Sequence, residues 1–146
     1  MHRLAVLIHQ QHPSLQIVLH QAFNAQGVFD VRISDEFTRT SAWLDASRAT
    51  DLLVLDHRLS IREGAALLDQ LAQAGGVRAL IFVGRPRTAA NDLASAARAK
   101  GLWVLGELDW PLSAATLHLL LRRLQHGNDM RLRNCRQTVT FSTHAH

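Results

Sequence analysis

A single cysteine, Cys135, is all the sequence offers toward thiol chemistry. That excludes an internal disulfide framework and any zinc site built on several cysteines. Long hydrophobic runs are missing too, since nothing approaches the roughly 18 apolar residues that a membrane helix needs. The first run, Leu4-Ala5-Val6-Leu7-Ile8, stops at His9. It is too short for the apolar region of a signal peptide and has no cleavage pattern after it, so it reads as a buried strand of a cytoplasmic protein. No G-x-G-x-x-G follows it, and no G-x-x-x-x-G-K-[ST] or G-x-S-x-G occurs anywhere. Dinucleotide cradles, nucleotide-triphosphate loops and nucleophile elbows therefore have no support. Internal repeats and low-complexity segments are absent as well.

What is present fits one globular domain: 146 residues, 47% apolar and 19% charged. The formal charge of +4 is unevenly placed. Five of the 16 basic residues lie from residue 122 onward (Arg122, Arg123, Arg131, Arg133, Arg136) with one of the 12 acids, Asp129, so residues 1–121 hold 11 of each sign. A domain that grips a phosphate backbone carries a basic stripe on its folded surface. The neutral body makes nucleic acid an unfavoured partner and leaves a basic tail or connector over 126–146, after a domain spanning 1–125.

Strand-length apolar runs alternate with segments of helical period. The first strand ends at His9. A helix opens at Pro13-Ser14, carries Leu15, Val18, Leu19 and Phe23 on one face, and closes at Gly27. Val28 to Ile33 alternates like an edge strand, and a short helix surrounds Trp43-Leu44. Asp51 to Asp56 is a continuous apolar run ending in a carboxylate, as a central parallel strand would be. A helix over 63–74, a strand over 79–83, a helix over 88–100, a strand over 102–105 and a helix from Pro111 complete the pattern. Five βα units joined by short connections imply a doubly wound, flavodoxin-like α/β fold with strand order 2-1-3-4-5.

Ligands of such sheets bind outside the carboxyl ends of the strands. The residues placed there are Gln10 and Gln11, Asp56 and His57, Gly84, and Glu107 to Trp110. His9, His12 and His57 converge on that end and read as hydrogen-bonded loop residues, and His144 and His146 as no more than chance ligands, so no metal site is assigned. Asp35 and Glu36 read as solvated loop acids, Trp103 as core, and Trp110 as an apolar lid.

In order and spacing, three segments resemble the receiver domain of bacterial two-component response regulators across residues 3 to about 125. Leu53-Val54-Leu55-Asp56 resembles the strand ending in the phosphoacceptor aspartate. Ile8-His9-Gln10-Gln11-His12-Pro13 resembles the end of the first strand, and Leu108-Asp109-Trp110-Pro111 the junction before the last helix. The resemblance implies phosphoryl transfer to Asp56 with Mg²⁺ held by that aspartate and two acids. Those acids are replaced by Gln10 and Gln11, the hydroxyl residue after the fourth strand by Gly84, the lysine before the proline by Trp110, and the switch aromatic by Glu107. Mg²⁺ is a hard cation that wants carboxylate oxygens. Each lost charge costs on the order of a few kcal/mol in a partly buried site.

The expectation is a degenerate receiver, or pseudo-receiver: a regulatory module and not an enzyme, acting by protein contact, with Mg²⁺ binding lost or weak. Its partner would be another protein or a fused output domain. A homodimer is expected through the fourth helix, fifth strand and fifth helix, with Leu112 and Leu119 facing the core and Leu117, Leu120 and Leu121 leaving an apolar outer side. The last helix is expected to run past Arg123 toward Asn128 and Arg131. The stretch Lys100 to Leu108 also resembles receivers attached to EAL-type cyclic-di-GMP phosphodiesterases. Two alternatives stand beside this reading: a working phosphoacceptor at Asp56, and nucleic-acid binding through the arginine tail.

Overall fold

The computed structural model describes residues 3–46 and 50–127. Five strands, β1 (Ala5–His9), β2 (Asp30–Ser34), β3 (Leu52–Asp56), β4 (Ala79–Val83) and β5 (Val104–Leu108), form one sheet. All neighbours pair in parallel and the order is β2-β1-β3-β4-β5. This is the flavodoxin-like arrangement that the alternating runs predict. Between the strands lie α1 (Pro13–Ala25), α2 (Phe37–Asp45), α3 (Ile61–Ala74) and α4 (Leu93–Ala99), and α5 covers residues 114–127.

Strand periodicity splits the core in two. Val6, Ile8, Leu52, Val54, Ile81 and Val83 point to one face, where Leu19 and Phe23 of α1 and Leu117, Leu120, Leu121 and Leu124 of α5 cover them. Leu7, Leu53, Leu55, Leu80 and Phe82 point to the other, under Leu44 of α2, Leu67, Leu68 and Leu71 of α3, and Leu93 and Ala97 of α4. Every residue of β3 and β4 is buried, because strands covered on both faces need apolar side chains at every position.

Several boundaries differ from the sequence expectation, each for a local reason. The helix expected over 88–100 is a short 3₁₀ turn (Ala89–Asn91) followed by α4. Asp92 stops the first and caps the second, its Oδ1 accepting the Ser95 N–H at 3.1 Å. The fifth strand lies two residues later than expected. Leu102 N–H bonds back to Ala97 and so closes α4, while the strand runs on through Gly106 and Glu107. Gly106 lets Leu120 pack closely there, since a Cβ at that position would meet Leu120 Cδ2 at 2.7 Å and the leucine would have to shift. The second strand starts at Asp30. Val28 instead turns back onto α1 through its N–H to Phe23, and Phe29 is exposed. Val18 is also exposed, outside the buried stripe of α1.

The last helix reverses its expected orientation. It starts at 114, with Ser113 Oγ accepting the Thr116 N–H. Leu117, Leu120, Leu121 and Leu124 form an i, i+3, i+4, i+7 stripe that packs into the core. Leu119 is the one turned outward, and Leu112 lies half-buried before the helix. The apolar outer side that motivated a dimer is therefore absent from the described residues of α5. The tail expected beyond 125 lies, after residue 127, outside the described residues, as do Cys135, His144 and His146.

Candidate functional site

The carboxyl ends of β1 and β3 stand side by side, in register from Val6 opposite Leu52 to His9 opposite Leu55. The next residue along each chain, Gln10 and Asp56, therefore meets across the strand ends. Gln10 Nε2 donates to Asp56 Oδ2 at 2.8 Å, and both side chains are buried. The carboxamide orientation is fixed from its other end, since Gln10 Oε1 accepts the His12 N–H at 3.2 Å. Gln16 Nε2 holds the Gln10 carbonyl at 2.6 Å, and Gln10 N–H bonds to Ser34 of the edge strand.

The second oxygen of Asp56 is also engaged. Arg58 N–H donates to Oδ1 at 2.8 Å, and the Arg58 guanidinium lies over the carboxylate, Nη2 to Oδ2 at 3.4 Å. Sequence reasoning missed Arg58. An Asp-x-Arg step carries no signal of its own, and the arginine matters here only because the turn after β3 folds it back. The hollow above Asp56 has a volume of about 20 Å³, room for about one water molecule. It is lined by His9, Gln10, Gln11, His12, Asp56, Arg58 and Leu59.

Of the residues expected around this pocket, Gln10, Gln11 and Asp56 come together, with Gln11 exposed at the rim. Gly84 lies beside them, where a Cβ would sit 3.5 Å from Asp56 Oδ1. Its φ of +80° is a conformation that a side chain disfavours, which accounts for glycine where the resemblance implies a hydroxyl. The pyrrole edge of Trp110 faces the same point, its Nε1 at 3.7 Å from the Cβ position. That nitrogen is buried with no hydrogen-bond partner, so Trp110 turns a polar edge toward Gly84 where an apolar lid was expected. The Trp110–Pro111 peptide is cis.

His57 and Glu107 lie apart from the hollow. His57 N–H continues the ladder to Val83, and its ring stacks on Phe82 with centroids 5.2 Å apart. Glu107 belongs to β5, opposite Phe82, and places Oε1 3.6 Å from His57 Nε2. The reading of these histidines as hydrogen-bonded loop residues needs correction at two places. His57 is buried with neither ring nitrogen hydrogen-bonded. His9 is the last residue of β1, its Nδ1 paired with Thr40 Oγ1 at 2.6 Å and its Nε2 without a partner. Burial holds the His9 pKa below its ordinary value, and the charges of Glu63 and Asp35 only partly offset that. Asp92 is held below the usual carboxylate range, chiefly by the Ser95 N–H it accepts.

The donor set over Asp56 does not fit the Mg²⁺ of phosphorylating receivers. One carboxylate is present, the Arg58 guanidinium already lies against it, and Gln10 points an amide N–H inward where a cation needs an oxygen.

The five-stranded fold matches known structures. A signal receiver domain of an HD domain-containing protein from Pseudomonas fluorescens Pf-5 superposes with a TM-score of 0.71 at 19% identity, covering 88% of this chain and 99% of that one. The chain has the receiver fold. The receiver domain of a modulated diguanylate cyclase from Desulfovibrio desulfuricans G20 matches at 0.69 and 18% identity, over 89% and 99% of the two chains. A response regulator from Colwellia psychrerythraea matches at 0.67 and 18%, over 86% and 99%. No protein-family model and no curated protein matches the sequence. Among the described residues, no helix is long and apolar enough to cross a membrane.

Proposed function

We propose that this receiver-fold chain is a cytoplasmic signalling module that works by protein contact and does not run Mg²⁺-dependent phosphorylation of Asp56. The observation that carries the reading is the Gln10 carboxamide, fixed by His12 so that it donates to Asp56, with Arg58 closing the other side. An aspartyl nucleophile needs a free oxygen and a cation to share the incoming phosphate's charge. Here the Gln10 N–H points at the carboxylate and the neighbouring positive charge comes from a guanidinium. The module takes residues 1–125, and the basic segment from 126 serves as a connector. Its contact surface is the α4–β5–α5 face, toward a second copy or an attached output domain. The Arg85–Asp109 pair, Arg98 and Arg122 give that face an exposed polar character, with Leu119 as its large exposed apolar side chain. The receiver of a diguanylate cyclase among the structural neighbours supports a place in cyclic-dinucleotide signalling, and the formally neutral body of residues 1–121 argues against nucleic-acid binding by the domain itself.

Incubation with acetyl phosphate and Mg²⁺, followed by a phosphate-affinity gel, should give no shifted band, and Mg²⁺ should not change the fluorescence of Trp110. The double variant Gln10→Asp, Gln11→Asp should gain Mg²⁺-dependent quenching that is lost again on Trp110→Phe. A shifted wild-type band that disappears in Asp56→Asn would replace this reading with a working phosphoacceptor.

A further inference from the structure

His57 is the buried polar group that the site above does not use. Its side chain is fully buried against Phe82, and neither ring nitrogen makes a hydrogen bond. Unpartnered buried polar atoms are rare and call for an explanation. Two carboxylates flank the ring. Glu107 reaches in from β5, with Oε1 3.6 Å from Nε2, and Asp92 comes from the cap of α4. One ligand atom from each of the three residues lies within 4.8 Å of the others.

We propose that His57, Asp92 and Glu107 form a binding site for a divalent transition-metal ion of the zinc type. An imidazole nitrogen with two carboxylates is a donor set for such ions and not for Mg²⁺, and two carboxylates neutralise the ion's charge. Tetrahedral bonds of about 2.0–2.1 Å set neighbouring ligand atoms about 3.3 Å apart. The His57–Glu107 pair is already close to that spacing. Glu107, whose side chain is 38% exposed, can change rotamer to meet an ion. Asp92 is oriented by Ser95, whose N–H and Oγ–H donate to Oδ1 and Oδ2 at 3.1 Å each, and each oxygen keeps a second lone pair for an ion. Ligating carboxylates are commonly oriented in this way by outer partners. Three protein ligands leave a fourth position for water or for an incoming group. The ion would tie the turn after β3, the start of α4 and the carboxyl end of β5 together. It would thus bear on the contact face proposed above through Asp92 and Glu107, neither of which lines the hollow over Asp56. The site stands independently of whether Asp56 is phosphorylated.

The test is titration of the chelator-treated full chain with Co²⁺, read by its visible d–d absorption and by calorimetry, with Zn²⁺ as competitor. One Co²⁺ per chain is expected, displaced by Zn²⁺. Glu107→Gln and Asp92→Asn each keep their shape, and asparagine keeps the helix cap. Each should weaken Co²⁺ binding by about 10–100-fold. His57→Phe should abolish the band, while circular dichroism confirms that all three variants fold. Unchanged spectra and stoichiometry in these variants would overturn the site, as would binding that disappears only when His144 and His146 are replaced. Because the metal titration and the phosphate gel read different residues, failure of one is distinguishable from failure of the other.

Discussion

Two polar clusters sit side by side at the carboxyl end of the sheet, and they are built on opposite terms. Around Asp56, Gln10 gives its N–H to the carboxylate and its oxygen to His12, and Arg58 serves the remaining carboxylate oxygen. Around His57, two ring nitrogens lie buried with no hydrogen bond although two carboxylates stand nearby. A saturated buried network makes its structure unique and inert, whereas an unsaturated one leaves capacity for a ligand. The cluster around Asp56 is thus the closed one, and its neighbour is the open one.

The largest effect should come from opening the saturated cluster. Gln10→Leu removes a donor from a buried carboxylate and leaves the His12 N–H without its acceptor. Hydrogen bonds to charged groups contribute about 1.5–3 kcal/mol each, and a buried group left unpaired costs its desolvation. Urea unfolding should show a loss of about 2–3 kcal/mol with an unchanged m-value. A loss under 0.5 kcal/mol would mean that Arg58 alone satisfies Asp56.

The opposite sign is expected next door. In the metal-free protein, His57→Phe replaces two unpartnered polar atoms with carbon on a ring that already stacks on Phe82. Removing such atoms while keeping the shape is neutral or stabilising, here by about 1 kcal/mol. The same substitution should raise Tm in chelator and cancel any further rise on adding Zn²⁺. Destabilisation by His57→Phe in chelator would show that the ring nitrogens are satisfied in solution and would erase the contrast between the clusters.

How far the sequence showed these two clusters depends on how local their signals are. The sheet order followed from runs such as Leu52–Asp56 and Ala79–Val83, where burial on both faces demands unbroken apolar residues. Strand β5 was displaced because an exposed edge carries Gly106 and Glu107, which look like a turn on paper. The stripe on α5 differs from expectation because Leu112 precedes the helix and Leu119 sits out of phase with Leu117, Leu120, Leu121 and Leu124. Asp56 and Gln10 were legible, since each ends an apolar run. Arg58 was not, because its place over Asp56 depends on a tight turn with Leu59 N–H bonded to Asp56 O. The His57 cluster was invisible for a stronger reason. Asp92 fell inside an apparently continuous helix, and only the break that it causes brings its carboxylate near His57, just after β3, and Glu107 of β5.

The smallest expected effect is one proton's worth, at His9 on the far side of the hollow. Burial holds its folded pKa below the ordinary value of 6.5. The unfolded chain therefore takes up a proton at higher pH than the folded one does. The stability that neutral His9 contributes is fully present above about pH 6.5 and is lost as pH falls from there through the folded value, where both states are protonated. The Thr40 hydroxyl at Nδ1 suits a neutral ring in either tautomer, whereas the buried Nε2 offers an added proton no acceptor. Stability measured between pH 7.5 and 5 should therefore fall more in the wild type than in His9→Gln, which keeps a polar group near Thr40 and does not titrate. Eight other histidines in the chain make the difference between the two curves the meaningful quantity. Parallel curves would mean that the pocket wall opens to water before His9 takes up its proton, and the boundary between the closed cluster and solvent would then lie at β1 and not at Gln11.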